Sequence, residues 1–306
     1  MQPIVLGRDT DKVIVTSDQH LAPRDIINIP AQPNNPLSSP ANWIYLDILT
    51  KPDENLLRIW NGDGFHTHPR FWFEKELVTG AMSHLTNLLV KKDITGENLR
   101  VIPGNHMKVE HLPTDVVAEW LQRGILVEEG KLEVFDPATK ISFHIQHGHE
   151  AQPWTVYPLF ADNPILQRAA EKALTLARKS GLLKPHVYPY ADAEQALKFR
   201  NAAQAKYTQA NFDEPLSTAV YGHTHVTGFY PEKRFFNTGF RDPIHNWAPQ
   251  LTISRNMITL EQRSLAAIPD KNYMRNELTM SQLADILTNR AGNALQRDLG
   301  FVSIGD

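Results

Sequence analysis

Five short apolar runs in this chain each end in a polar cluster of the same chemical kind. Lys12-Val13-Ile14-Val15-Thr16 leads into Ser17-Asp18-Gln19-His20, and Leu56-Leu57-Arg58-Ile59-Trp60 leads into Asn61-Gly62-Asp63-Gly64. Leu99-Arg100-Val101-Ile102 is followed by Pro103-Gly104-Asn105-His106, Ile141-Ser142-Phe143-His144-Ile145-Gln146 by His147-Gly148-His149, and Ala219-Val220-Tyr221 by Gly222-His223-Thr224-His225. A single Asp-x-His is ordinary turn chemistry. The set Asp18, His20, Asp63, Asn105, His147, His223 and His225 is carboxylate, amide and imidazole throughout, donors that suit Mn, Fe, Zn or Ni better than an all-oxygen calcium cage. Seven donors are too many for one ion. If one carboxylate bridges, two ions about 3.5 to 4 Å apart can share the set, the arrangement that clamps attacking and leaving oxygens in phosphoryl transfer. Two divalent cations against two aspartates leave a net positive site, suited to a phosphate oxyanion.

The apolar runs are the length and composition of buried strands. Between them lie helix-like stretches over 74–90 and 114–123, so strands alternate with helices in the first half and an α/β layered core is predicted. Side chains at strand ends of such sheets converge in one crevice. Gly62, Gly64, Gly104, Gly148 and Gly222 flank the donors and let backbone approach closely.

Composition sets the frame. At 306 residues, 42% hydrophobic and 21% charged, the chain is long enough for one large domain or two small ones. A formal charge of -3 gives no global basic field for nucleic acid or an anionic membrane. With no cysteine, any metal must sit on oxygen and imidazole. The opening MQPIVLGRDTDK lacks a basic stretch followed by an apolar run, and nowhere do eighteen apolar residues occur together, so the expectation is a cytoplasmic protein without a membrane span.

The ordered string Asp18-x-His20, Gly62-Asp63, Gly104-Asn105-His106, His147-Gly148 and Gly222-His223-x-His225 closely resembles the calcineurin-like metallophosphoesterases, over roughly residues 13–262. Phe236-Asn237-Thr238-Gly239 and Leu251-Thr252-Ile253 look like the strands that close that fold. The resemblance implies a sandwich of two mixed β-sheets flanked by helices. It places Asp18, His20 and His225 on one ion, Asn105, His147 and His223 on the other, and Asp63 between them. Two divalent ions are implied as cofactors, Mn first, with Fe, Zn or Ni as alternatives. A metal-bridging hydroxide would attack phosphorus in line, and His106 would be the general acid or a stabiliser of transition-state charge.

This chain departs from the family at Met107, where Asp or Glu usually follows Asn-His and orients the histidine. Without that acid His106 is expected to be less basic unless another, such as Glu110, substitutes; packing is the bland reading of Met107. Around the cluster, Arg24, His66, Arg70 and His149 are the substrate-contact candidates, with His68, Trp72 and Glu150 beside them; a surface loop or solvated arginine is the bland alternative for each.

The segment 152–215 is unlike its surroundings. Asp162-Asn163-Pro164 starts a helical stripe of Ile165, Ala169, Ala173, Leu176 and Ala177 ending at Gly181, and Asp192 with Gln195 resembles a capping box before Ala196, Phe199, Ala203 and Tyr207. These read as a helical lid insert. Its position resembles the lid of the UDP-2,3-diacylglucosamine pyrophosphohydrolases, although the insert has no long greasy run suited to acyl chains. Lys and Arg on its helices, such as Arg168, Lys172 and Arg200, serve a phosphate or simply a solvated face. The domain expectation is therefore a catalytic domain over 1–264, interrupted by the insert, and a helical extension over 265–306 with an amphipathic helix at 280–295. The proline-rich 30–40 is turn-forming.

Hydrolysis of phosphoester or pyrophosphate bonds in a small phosphorylated substrate is the leading function, by a phosphodiesterase or pyrophosphohydrolase. A protein phosphatase or nuclease is the alternative, and a noncatalytic metal-bound interaction module the third. Nucleic acid is a disfavoured partner, and the sequence leaves the oligomeric state open.

Overall fold

The computed structural model describes residues 2–19, 21, 26–27, 55–65, 75–105, 107–149, 215–223, 227–239, 247–264 and 275–288. Its strands are β1 (Ile4–Val5), β2 (Lys12–Ser17), β3 (Leu56–Asn61), β4 (Leu99–Ile102), β5 (Lys131–Asp136), β6 (Ile141–Gln146), β7 (Ser217–Tyr221), β8 (Thr227–Tyr230), β9 (Phe235–Thr238), β10 (Trp247–Ser254), β11 (Met257–Ser264) and β12 (Arg275–Thr279). The α-helices among these residues are α1 (Lys75–Lys91), α2 (Thr114–Gln122) and α3 (Met280–Thr288).

Among the described residues two six-stranded mixed sheets form, in the orders β12-β11-β10-β2-β3-β4 and β1-β5-β6-β7-β9-β8. In the first, β2, β3 and β4 are parallel and β10 runs antiparallel to β2. In the second, β6, β7 and β9 are parallel. β2 beyond Lys12 and all of β7 are buried on both faces, and in β2 this shows in the sequence as the run Val13-Ile14-Val15.

Alternation along β3 divides two cores. Leu57 and Ile59 point into the layer between the sheets, joining Val13, Val15, Phe143, Ile145, Val220, Phe236, Leu251 and Ile253. Trp60 points the other way, into a cluster with Val78, Met82, Leu85 and Leu89 of α1 and Val116 and Trp120 of α2. The α1 residues recur at helical spacing and so form one apolar stripe on the sheet. The Trp120 indole N–H donates to Thr86 Oγ1 at 2.9 Å, tying α2 to α1. The α/β sandwich of mixed sheets expected from the sequence is thus the one that forms.

Within the expected C-terminal extension, β12 pairs with β11, and α3 buries Met280, Leu283 and Leu287 in the inter-sheet cluster. A reciprocal cap starts this helix: Gln282 N–H donates to Thr279 Oγ1 at 3.1 Å and Thr279 N–H to Gln282 Oε1 at 2.8 Å. The remainder of the helix predicted over 280–295 lies outside the described residues.

The chain divides into two compact units, Met1–Gly148 with Gln209–Ile304, and His149–Thr208 with Gly305–Asp306. Both sheets belong to the first. The lid expected over 152–215 lies outside the described residues apart from Pro215, as does the loop 30–40. Among the described residues no helix is long and apolar enough to cross a membrane.

Candidate metal centre

Each described donor follows the C-terminal end of a parallel strand: Asp18 after β2, Asp63 after β3, Asn105 after β4, His147 after β6 and His223 after β7. Three strands come from one sheet and two from the other. One carboxylate oxygen each from Asp18 and Asp63 and one ring nitrogen of His147 lie within 4.8 Å of one another, and all three residues are buried. His147 Nε2 is 2.8 Å from Asn105 Oδ1 and 3.4 Å from Asp63 Oδ2. The His223 ring stands edge-on to that of His147 with centroids 5.0 Å apart. Its backbone N–H donates to Asp18 Oδ2 at 2.8 Å, fixing how that carboxylate is turned.

Glycine makes the convergence sterically possible. A Cβ at Gly222 would overlap the Asp18 carboxylate, one at Gly104 the Asp63 carboxylate, and one at Gly62 the His147 ring. Each glycine belongs to a different strand end from the side chain it touches, so the strand ends interlock. Gly62 carries a second constraint, φ +96°. Gly62→Ala is therefore expected to lower stability by at least about 1–2 kcal/mol from backbone strain alone, and to push His147 out of the cluster. Thermal melts and histidine NMR signals check this; an unshifted His147 resonance would contradict it.

Asp18 and His223 themselves sit in the left-handed region, at φ 51° and 66°. Such conformations cost on the order of 1–3 kcal/mol and concentrate at sites that need an unusual side-chain direction.

Buried polar side chains tie the strand ends together beside the cluster, Asn61 and Ser17 from one sheet to the other and Asn237 within its own sheet. Asn61 Nδ2 donates to Gln146 O at 2.9 Å and Val220 O at 3.3 Å. Ser17 Oγ bonds Thr238 Oγ1 and donates to Gly239 O, and Asn237 Nδ2 donates to Gly222 O at 2.8 Å. Ser17, Asn61, Asn237 and Thr238 are all buried. These roles are not among those expected from the sequence. Their signal was a polar residue closing an apolar strand, as in Trp60-Asn61-Gly62 and Phe236-Asn237-Thr238-Gly239.

His20, His106 and His225 lie outside the described residues, as do Arg24, His66 and Arg70. His149 is half-buried and opens the second compact unit. Met107 is fully buried in the cluster beneath α1 and α2, with Leu21, Phe65 and Trp120. Glu110 is exposed, 3.8 Å from Lys108 Nζ.

The donors fit divalent ions. An imidazole nitrogen, an amide oxygen and carboxylate oxygens converge, and Gly62, Gly104 and Gly222 leave room for them where a Cβ would overlap. Two carboxylates brought so close in a buried site are a natural setting for a cation.

No protein-family model matches the chain, and no curated protein matches it. Solved structures similar to it include a conserved uncharacterized protein described as a predicted phosphoesterase from Streptococcus pneumoniae TIGR4, at 12% identity and a TM-score of 0.35, covering 88% of this chain and 97% of that one. Vacuolar protein sorting 29 from Cryptosporidium parvum is similar at 13% identity and a TM-score of 0.39, over 88% of this chain and 98% of that one. A cold-active protein-tyrosine phosphatase of a psychrophile, Shewanella sp., is similar at 13% identity and a TM-score of 0.34, over 92% and 82%.

Proposed function

We propose that this chain is a two-metal hydrolase of phosphoester or pyrophosphate bonds, of the calcineurin-like metallophosphoesterase class. The observation that carries this reading is the buried convergence of Asp18, Asp63 and His147, with Asn105 on the same imidazole nitrogen. The order of the sequence blocks supports it. Asp18, Asp63, Asn105, His147 and His223, with His20 and His225, would hold two divalent ions, Mn first and Fe, Zn or Ni as alternatives. Such ions supply Lewis-acid charge for a phosphoryl group and lower the pKa of water.

The chain's own residues do the rest. His223 holds the orientation of Asp18 through its backbone N–H. Asp63, against the His147 ring and the strand end bearing Asn105, would be the shared ligand, which its contacts with both support. Burial keeps bulk water from competing for these groups. His106, next to Asn105, is assigned the proton for the leaving oxygen.

Within the class we favour a small-molecule phosphodiesterase or pyrophosphohydrolase. The placement of the 152–215 insert, in the manner of the UDP-2,3-diacylglucosamine pyrophosphohydrolases, supports a diphosphate substrate. A hydrolysis panel with Mn²⁺ tests this, using p-nitrophenyl phosphate, its bis ester, nucleoside diphosphate sugars and single-stranded nucleic acid. Hydrolysis of the bis ester or of a diphosphate bond is the expected result. Inertness toward every substrate would overturn the enzyme reading in favour of a binding module. In the same assay, His106→Ala should retain bound metal while kcat falls about 10²- to 10⁴-fold; an unchanged kcat removes His106 from the chemistry.

A further inference from the structure

The two sheets must be held at a fixed offset for the cluster to exist, because Asp63 leaves one sheet and His147 the other. Hydrophobic packing between sheets is tolerant of small slides, whereas hydrogen bonds with a defined direction are not. At the end of β3 one side chain makes such bonds to two strands of the opposite sheet. Asn61 is fully buried, and its amide nitrogen reaches Gln146 O at 2.9 Å and Val220 O at 3.3 Å.

Both acceptors are informative. Gln146 is the last residue of β6, immediately before His147. Val220 lies in β7, adjacent to β6 through the Ile145–Val220 pair, three residues before His223. The pairing continues past the strand ends, where Gly222 N–H donates to His147 O at 2.9 Å. Asn61 is itself two residues before Asp63. One carboxamide nitrogen therefore measures the distance from the strand that carries Asp63 to the two strands that carry His147 and His223. A carboxamide is suited to this task because it puts two N–H donors on one atom. Serine has one, aspartate none, and leucine, with the same branching but bulkier methyl ends, none.

We infer that Asn61 is a positioning residue for the metal centre, setting the gap between Asp63 and His147 by bridging β3 to β6 and β7. The inference rests on the proposed reading of the cluster as a metal site. Removal of the bridge leaves two buried carbonyls without these donors and lets the sheets shift against each other. Loss of an outer partner that orients a ligand typically costs 10- to 100-fold in metal affinity.

The test compares wild type, Asn61→Leu, Asn61→Ser and a packing control, Ile258→Ala, which removes buried volume two strands from β2 and level with Val13, at the end of that strand opposite Asp18. Mn²⁺ affinity is measured by calorimetry, and the imidazole signals of metal-free protein by NMR. The expected result is a 10- to 100-fold weaker Mn²⁺ affinity in Asn61→Leu with a shifted His147 signal, a smaller loss in Asn61→Ser, and wild-type affinity in Ile258→Ala. Should Asn61→Leu fail to fold, Asn61→Ser carries the same comparison. Wild-type Mn²⁺ affinity and an unmoved His147 signal in a folded Asn61 variant overturn the inference, as does an equal affinity loss in the packing control. A wild-type protein that takes up no Mn²⁺ overturns the metal reading itself, and the two failures are thereby distinguished.

Discussion

Asp63→Asn is expected to abolish two-ion binding and to lower hydrolysis at least about 10²-fold, more than the loss of an outer partner would give. Asparagine has nearly the same shape, so the interlocking of Gly104 with this side chain and the packing around it should persist. What is lost is a unit of negative charge in a buried site, together with acceptor capacity on one oxygen. A unit charge pair at about 4 Å is worth about 4 kcal/mol at an effective dielectric of 20, and a divalent ion feels more. His147 Nε2, 3.4 Å from Asp63 Oδ2, would then face a neutral amide in its place. Metal analysis of the purified variant, with a thermal melt to confirm folding, is the measurement. Two tightly held ions and normal turnover would end the assignment of Asp63 as the shared ligand.

Met107→Asp is expected to destabilise the protein by about 3–5 kcal/mol, among the largest effects available to one substitution. From sequence alone, this change looks like restoration of an acid that orients His106. The structure gives it another meaning, because Met107 is 0% exposed among Leu21, Phe65, Leu112, Val116 and Trp120. A carboxylate there must lose its hydration or take up a proton, and it leaves a gap where the thioether packed. Met107→Leu, which conserves volume, should cost less than about 1.5 kcal/mol. Denaturant melts of the two variants decide. A Met107→Asp protein as stable as wild type would mean that the acid finds a partner, and the packing account of Met107 would fall.

Much of the site could be read in the sequence because its information is local. A β-branched run such as Val13-Ile14-Val15 declares a buried strand, and a glycine with a donor beyond it declares a strand end aimed at something. The helix over 114–123 was equally legible, and α2 spans Thr114–Gln122. β12 was not, because Arg-Asn-Glu-Leu-Thr is polar and buries only Leu278. Its strand character comes from the open edge of β11, a tertiary cause that no window along the chain contains. The same applies to Asn61 and Ser17, whose hydrogen-bond partners lie 85 to 222 residues away in sequence. Their types hinted at a role, but only the meeting of the sheets defines it. The capping box at Thr279 and Gln282 is the opposite case, a local signal present in the sequence and passed over.

The left-handed backbone at Asp18 and His223 has a consequence for how this protein tolerates change. Stability alone would favour glycine or asparagine at both positions, since either accepts that conformation with less penalty. Selection of heat-resistant variants without a demand for activity should thus erode these two positions early, and the survivors would gain robustness while losing the donors. At 18 and 223 the backbone cost is carried by side chains that the proposed site needs, so there the chain's activity and its thermostability pull apart.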